Sequence, residues 1–254
     1  MATKQQAEVS REGRARYLYA VVRARSGWAA ELTGLGPSPV HAVREDDLLA
    51  LVSDTAGLRV APTRAHLLTH QRVTDAVLRE HTLVPVAFGT VLPSEERVRE
   101  LLRVAHAPLV RALDVLEGRV ELGLKVYCHR DALARRLEAE QPELARRPSE
   151  PEEDHEQRLE LALLERTTRD MDVLRTGLAP LVAATHESAP LGERMLLNAA
   201  FLVDRAAVAA FEARLKTLVA RTEVYAFRFT GPWAGYSFVD VRLDMEGGLS
   251  AGAR

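Results

Sequence analysis

The chain has 254 residues, 47% of them hydrophobic and 28% charged, with a net charge of −2. That composition supports one large or two small cored domains and lacks the basic excess of a protein that binds nucleic acid through bulk electrostatics. The single cysteine, Cys128, excludes a disulfide framework or a cysteine metal cluster within the chain and points to a reducing compartment. No apolar stretch approaches the ~20 residues of a membrane span, and residues 1–16 lack the apolar core of a signal peptide, so a soluble intracellular protein is expected.

Residues 1–14 read as a disordered tail. Ala15–Ala24 is apolar on both faces, which predicts a buried central strand. Gly34-Leu35-Gly36-Pro37 has two glycines at a dinucleotide-like spacing, but Pro37 and Pro39 stand where the fingerprint needs a helix, so a turn is expected. Val40–Val43 and Leu48–Ser53 read as strands around the charged corner Arg44–Asp47. From Pro62 the period becomes helical. Thr63 is placed to cap the helix, and His66, His70, Val73, Val77 and His81 share one face. Leu83–Thr90 reads as a strand. Ser94 then caps a helix with Glu95 and Glu96 in its first turn, and Pro108 is expected to kink or divide it.

Gly118 ends that helix, and Val120–Tyr127 alternates as a half-buried strand with Glu121, Lys125 and Tyr127 outward. A short helix over Asp131–Glu140 follows. Glu138–Gln157 holds eight acidic residues, two arginines and three prolines, and predicts a solvated acidic loop or mobile insertion. A long helix then buries Leu164, Met171, Leu174, Leu178 and Leu181. Leu196–Val203 is a strand, and Asp204 caps a helix with Val208, Phe211, Leu215 and Leu218 on one side. Residues 244–254 read as a frayed tail. The expected architecture is α+β in two domains, 15–117 and 118–243, the second with a ferredoxin-like split β-α-β order.

Residues 223–239 concentrate the aromatics. Tyr225, Phe227 and Phe229 fall on one face of a strand, Gly231-Pro232 is expected to turn the chain, and Trp233 leads into a second short extended piece at Tyr236–Val239, completing a strand-hairpin. Two readings stand: these rings fill a core, or some of them (Tyr225, Phe227, Trp233, Tyr236 and Phe238) face outward as a partner-binding surface.

Motifs for catalysis are missing. There is no Gly-x-Ser-x-Gly, no phosphate-binding Gly-x-x-x-x-Gly-Lys-Ser/Thr and no His-Glu-x-x-His. Cys128 and His129 are neighbours that a strand would point to opposite faces. No catalytic residue, cofactor or metal is assigned, and a non-enzyme is the expected class.

Several segments together resemble the gas vesicle protein F and L family. Gly231-Pro232-Trp233 and Tyr236-Ser237-Phe238-Val239 match its C-terminal signature, with Ala234 and Gly235 in place of the usual prolines. Tyr17–Val22 is similar to its opening strand. Pro85, Phe88, Gly89, Thr90 and Val91 match a Pro-x-Arg-Phe-Gly-Thr-Val segment in which Ala87 stands where Arg is usual. Gly118, Glu121, Lys125 and Val126 match a third segment; Arg194, Asn198, Ala200, Leu202, Val203 and Asp204 match a fourth. The resemblance implies two α+β domains, the second a modified ferredoxin-like fold, with no catalytic residues. It also implies an accessory or minor structural role in building gas vesicles, in contact with the hydrophobic shell protein and other accessory proteins, at the vesicle within the cytoplasm, with neither nucleic acid nor membrane as partner. The alternative is a small-molecule- or metal-binding ferredoxin-like domain with a catalytic role, using His66, His70 and His81. A structural metal site wants four ligands, and this stripe offers three histidines and no carboxylate. Elemental analysis of the purified protein is therefore expected to find no stoichiometric metal; one equivalent of zinc would favour the alternative.

Overall fold

The computed structural model describes residues 14–24, 31–220 and 223–239. The chain divides into two compact units, the first running to Arg119 and resuming at Trp233, the second spanning Val120–Pro232. Residues 233–239, assigned by their sequence to the second domain, cluster with the first unit. The tails expected at 1–14 and 244–254 lie outside the described residues, apart from Arg14.

The first unit is built on β1 (Ala15–Arg23), whose aromatic and β-branched residues suit a strand covered on both faces. Its sheet runs β2 (His41–Glu45), β3 (Leu48–Thr55), β1, β4 (Leu83–Pro85), with β5 (Val91–Leu92) also paired to β1. Every pairing is antiparallel. The β1–β3 register shifts between Leu18 and Ala20. The extra residue at this bulge, Tyr19, reverses the alternation, so Leu18 and Val21, three apart, share one apolar cluster. That cluster is closed by α2 (Glu95–Val104) and α3 (His106–Leu116) through Val98, Leu102, Leu109 and Leu113. The helix expected from Ser94 is divided at Ala105, three residues before Pro108, which lies in the first turn of α3, where its missing N–H is harmless. On the other face Tyr17 and Tyr19 meet α1 (Arg64–Glu80), capped by Thr63 accepting from the His66 amide. The single strand expected over Leu83–Thr90 is two short ones, because residues 87–90 turn, with Gly89 at φ +90°.

The second unit orders its strands β7 (Ala184–Glu187), β8 (Met195–Asp204), β6 (Arg119–Cys128), β9 (Tyr225–Trp233) in an antiparallel sheet. Its core unites Leu122, Leu124 and Val126 of β6 with α4 (Arg130–Glu140), α5 (Glu152–Leu178) and α6 (Val208–Val219). Four expectations are corrected here. Glu121 of β6 is 9% exposed and buried. Leu164 is 63% exposed, and Leu163 takes its place in the core, because the buried stripe of α5 runs through Leu163, Met171, Leu174 and Leu178. The acidic stretch is ordered. Glu152, Glu153 and Asp154 fill the first turn of α5, favourable against the helix dipole, and Arg158 grips Glu150 and the carbonyls of Leu144 and Ala145. That grip holds the Glu150 carboxyl down to about 2. Asp204 precedes a 3-10 turn, Arg205–Ala207, and not the α6 helix directly.

Instead of turning at Gly231-Pro232, β9 continues through it to Trp233, and the next residues form a 3-10 turn, Tyr236–Phe238; the expected hairpin is absent. Proline is tolerated because β9 is an edge strand, where a missing N–H costs no ladder bond. Gly231 sits at φ +117°, where an added Cβ would lie 2.8 Å from the Glu121 carbonyl oxygen. Gly231→Ala is expected to cost about 1–3 kcal/mol through strain and collision with backbone. The check is a lowered urea midpoint against Ala226→Ser, an exposed control on the same strand.

Candidate interaction surface and the polar cluster beneath it

The aromatic residues of 225–239 separate into two groups. Tyr225 is 6% exposed and donates its hydroxyl to Asp170 (2.7 Å), while Phe227 and Phe229 pack on the second unit's core, Phe229 stacked against Phe211 at 6.1 Å. Burial and the Asp170 carboxylate push the Tyr225 phenol up, so it stays protonated. The strand thus turns Tyr225 onto the core, with Phe227 half-buried on the same face. The other group belongs to the first unit. Trp233 and Phe238 are half-buried and Tyr236 is 43% exposed. Between them Ala234 is buried, and Gly235 lies so close to Leu116 that a Cβ would come within 2.4 Å of its Cδ2. The two residues that stand in for prolines are small, and the chain lies flat on α3.

Beneath Tyr236 lies a cluster that sequence reading did not assemble. His70, from the middle of α1, is 5% exposed and ringed by Tyr17, Tyr19 and Phe88, with centroids at 5.7, 5.7 and 5.8 Å. The Gly89 amide donates to the Tyr17 hydroxyl (3.2 Å). The Tyr17 hydroxyl also bonds His70 Nδ1 (2.9 Å), and the Tyr236 hydroxyl bonds Nε2 (3.2 Å), one nitrogen of the neutral ring donating and the other accepting. Next to it the Tyr19 hydroxyl bonds Ser53 Oγ (2.8 Å) and accepts from the Leu35 amide (2.8 Å). Gly34 has no room for a side chain there, since a Cβ would come within 2.3 Å of that hydroxyl. The signal available in the sequence was the Tyr-x-Tyr of β1, the Phe-Gly-Thr turn and the Tyr-Ser-Phe segment. What it lacked was the histidine that joins them.

The histidine stripe does not converge. His66 bonds the Ala61 carbonyl through Nδ1 (2.8 Å), His81 is the C-cap residue of α1, and His70 alone is inside. Among the described residues no group of three or more metal-ligating side chains is placed to hold an ion. On α1, Leu67 and Leu68, three and two residues before His70, are 45% and 52% exposed.

Burial lowers the His70 pKa from 6.5, opposed by a backbone hydrogen bond with Val86, and raises that of Tyr17. The imidazole is thus neutral and serves as a two-ended hydrogen-bond bridge. Because its folded pKa is depressed, the unfolded chain takes up this proton first as pH falls. The contribution is fully present above pH 6.5 and is lost as pH drops below it. Urea midpoints of the wild type are expected to fall between about pH 7.5 and pH 5 more steeply than those of His70→Gln. Equal slopes would show that His70 is not the group responsible.

The family model of the gas vesicle synthesis protein GvpL/GvpF matches residues 15–240. Gas vesicle protein L of a Streptomyces strain is 32% identical over 257 residues, covering 90% of this chain and 94% of that one. Gas vesicle protein F1 of Halobacterium salinarum is 27% identical over 214 residues, covering 83% and 86%. The crystal structure of GvpF from Anabaena sp. PCC7120 superposes with a TM-score of 0.78 at 25% identity over 90% of this chain and 97% of that one. GvpF from Microcystis aeruginosa gives 0.75 at 22% identity, a likeness of fold, over 89% and 99%. With nearly the whole described chain matched, and with the segments that meet around His70 inside the match, the protein belongs to the GvpL/GvpF family of gas vesicle synthesis proteins.

Proposed function

We propose that this protein is a non-enzymatic assembly factor that covers apolar surface of the small gas vesicle shell protein, and meets other accessory proteins, before the shell closes. The reading rests on exposed apolar side chains of the first unit: Tyr236, tied to the buried polar cluster through His70, and Leu67 and Leu68 of α1. A subunit that will face gas must hide its apolar side in water, and a preorganised patch of aromatic and aliphatic side chains is suited to that task. Trp233 and Phe238, half-buried on either side of Tyr236, stiffen the patch. Tyr225 and Phe227 contribute only indirectly, by anchoring β9. The site of action in this reading is the growing vesicle in the cytoplasm; no helix among the described residues is long and apolar enough to cross a membrane.

The second unit is, in this reading, a modified ferredoxin-like domain. Support comes from the strand order β7-β8-β6-β9, the order that a β-α-β-β-α-β chain makes, with α4 and α5 together filling the first helical slot.

Coexpression with the shell protein tests the proposal. The expected result is shell protein that stays soluble and copurifies with the wild type, and that is lost with Leu67→Glu/Tyr236→Ala although the variant's far-UV spectrum is unchanged. Shell protein that aggregates beside the wild type, or that binds the double variant equally, would sink the direct-contact reading.

A further inference from the structure

The outward face of α1 departs from the charge pattern of its neighbours. Arg64, Leu68, Arg72, Asp75 and Arg79 follow one another at spacings of four, four, three and four, so they form one stripe along the helix. It lies opposite the buried stripe of His70, Val73 and Val77. The three arginines are exposed, Leu68 is 52% exposed, and Asp75 is half-buried. None of the three arginines enters a salt bridge among the described residues: Arg72 donates to Thr69 Oγ1 (3.0 Å), and Arg79 acts on Asp75 without closing an ion pair. In the same unit α2 also carries three arginines, and all are paired: Arg97 to Glu100, Arg99 to Glu95 and Glu96, Arg103 to Glu45.

The start of the helix departs in the same sense. α2 opens on Glu95 and Glu96, and α5 on Glu152, Glu153 and Asp154. α1 has no acid in its first turn and opens on Arg64, a cation at the end where the helix dipole disfavours it. A local rule broken without a compensating contact marks a residue kept for another purpose.

Charge and spacing together define what fits. Three guanidiniums against one carboxylate select an anionic partner, and a planar guanidinium takes a carboxylate through two bonds. The arginines stand eight and seven residues apart, about 12 and 10 Å along the axis. A second helix laid along α1 with carboxylates two turns apart repeats that spacing, and an apolar side chain between them falls against Leu68. A lipid surface fits less well, because a helix lying on one turns a broad apolar face outward, and that face of α1 is turned to its own core. A nucleic acid would meet a chain of net charge −2.

We infer that the outward stripe of α1 docks an acidic amphipathic helix of a partner protein, with Arg64, Arg72 and Arg79 taking its carboxylates and Leu68 its apolar side. This contact is distinct from shell-protein binding and shares only Leu68 with that patch, so the arginines test it separately.

The probe is an alanine-based helical peptide with glutamates two turns apart and leucines between them, titrated with the full chain by fluorescence anisotropy. The wild type is expected to bind it about tenfold or more tightly than a version with glutamine for glutamate, and less tightly as salt rises. Arg72→Glu is expected to lose about tenfold or more on the glutamate peptide and to gain binding to a version with lysine for glutamate. Arg64→Glu is expected to bind the glutamate peptide more weakly while its thermal midpoint holds or rises, because an acid suits the helix start. A wild type that binds the glutamate and glutamine peptides equally, or neither, overturns the inference. So does an Arg72→Glu variant that binds the glutamate peptide as well as the wild type does, or that gains nothing on the lysine peptide. Tighter binding to phosphatidylglycerol vesicles or duplex DNA than to the peptide overturns it as well. A wild type that fails on the peptide yet keeps the shell protein soluble overturns this contact alone and leaves the shell-protein reading standing.

Discussion

The first unit depends on satisfying three polar side chains in a strand that is buried on both faces. Arg16, Tyr17 and Tyr19 of β1 are each at most 1% exposed. A buried guanidinium or phenol without partners costs several kcal/mol, so each dictates what surrounds it. Arg16 draws in Asp54 of β3 (3.1 Å), Glu95 at the start of α2 (3.5 Å) and the Arg14 carbonyl (2.7 Å). Tyr19 takes Ser53 and the Leu35 amide, which brings the Gly34 turn down onto the sheet. Tyr17 takes the Gly89 amide and His70, and His70 passes the connection on to Tyr236. One strand thereby positions a sheet neighbour, two helices, two turns and the returning C-terminal segment.

The bulge at Tyr19 makes this possible. In a regular strand Tyr17, Tyr19 and Val21 would share a face, and Val21 would be lost to the cluster under α2 and α3. One extra residue keeps both tyrosines toward α1 and sends Val21 with Leu18. The same economy of space governs the glycines that matter. Gly34 has no side chain because a phenol occupies its place. Gly231 allows β9 to pass the Glu121 carbonyl at a positive φ on its way back to the first unit.

Periodicity was a good guide wherever one face of an element is buried and the other wet. The capped starts of α1 and α2, the strand Val120–Tyr127 apart from the buried Glu121, and the α6 stripe through Phe211 and Leu215 were legible because their patterns depend only on local geometry and burial. It misled at Leu163 and Leu164, adjacent leucines of which only one can face inward, a choice set by the phase of α5 against the sheet. It misled over Glu138–Gln157 as well. Composition reported charge, but order there comes from Arg158 reaching back to Glu150 and the Leu144 carbonyl, a contact between residues on different elements.

By itself, the sequence determined the family through ordered local segments, the α+β class, the strand and helix types, and the concentration of aromatics before the C-terminus. Each of these is written in neighbours along the chain. Only the tertiary structure decided which rings are core and which are surface, that residues 233–239 cluster with the first unit, and that His70 alone of its stripe turns inward to join Tyr17 to Tyr236. Those outcomes depend on which distant groups share one buried volume. Polar satisfaction there is a property of the assembled neighbourhood that no local pattern records.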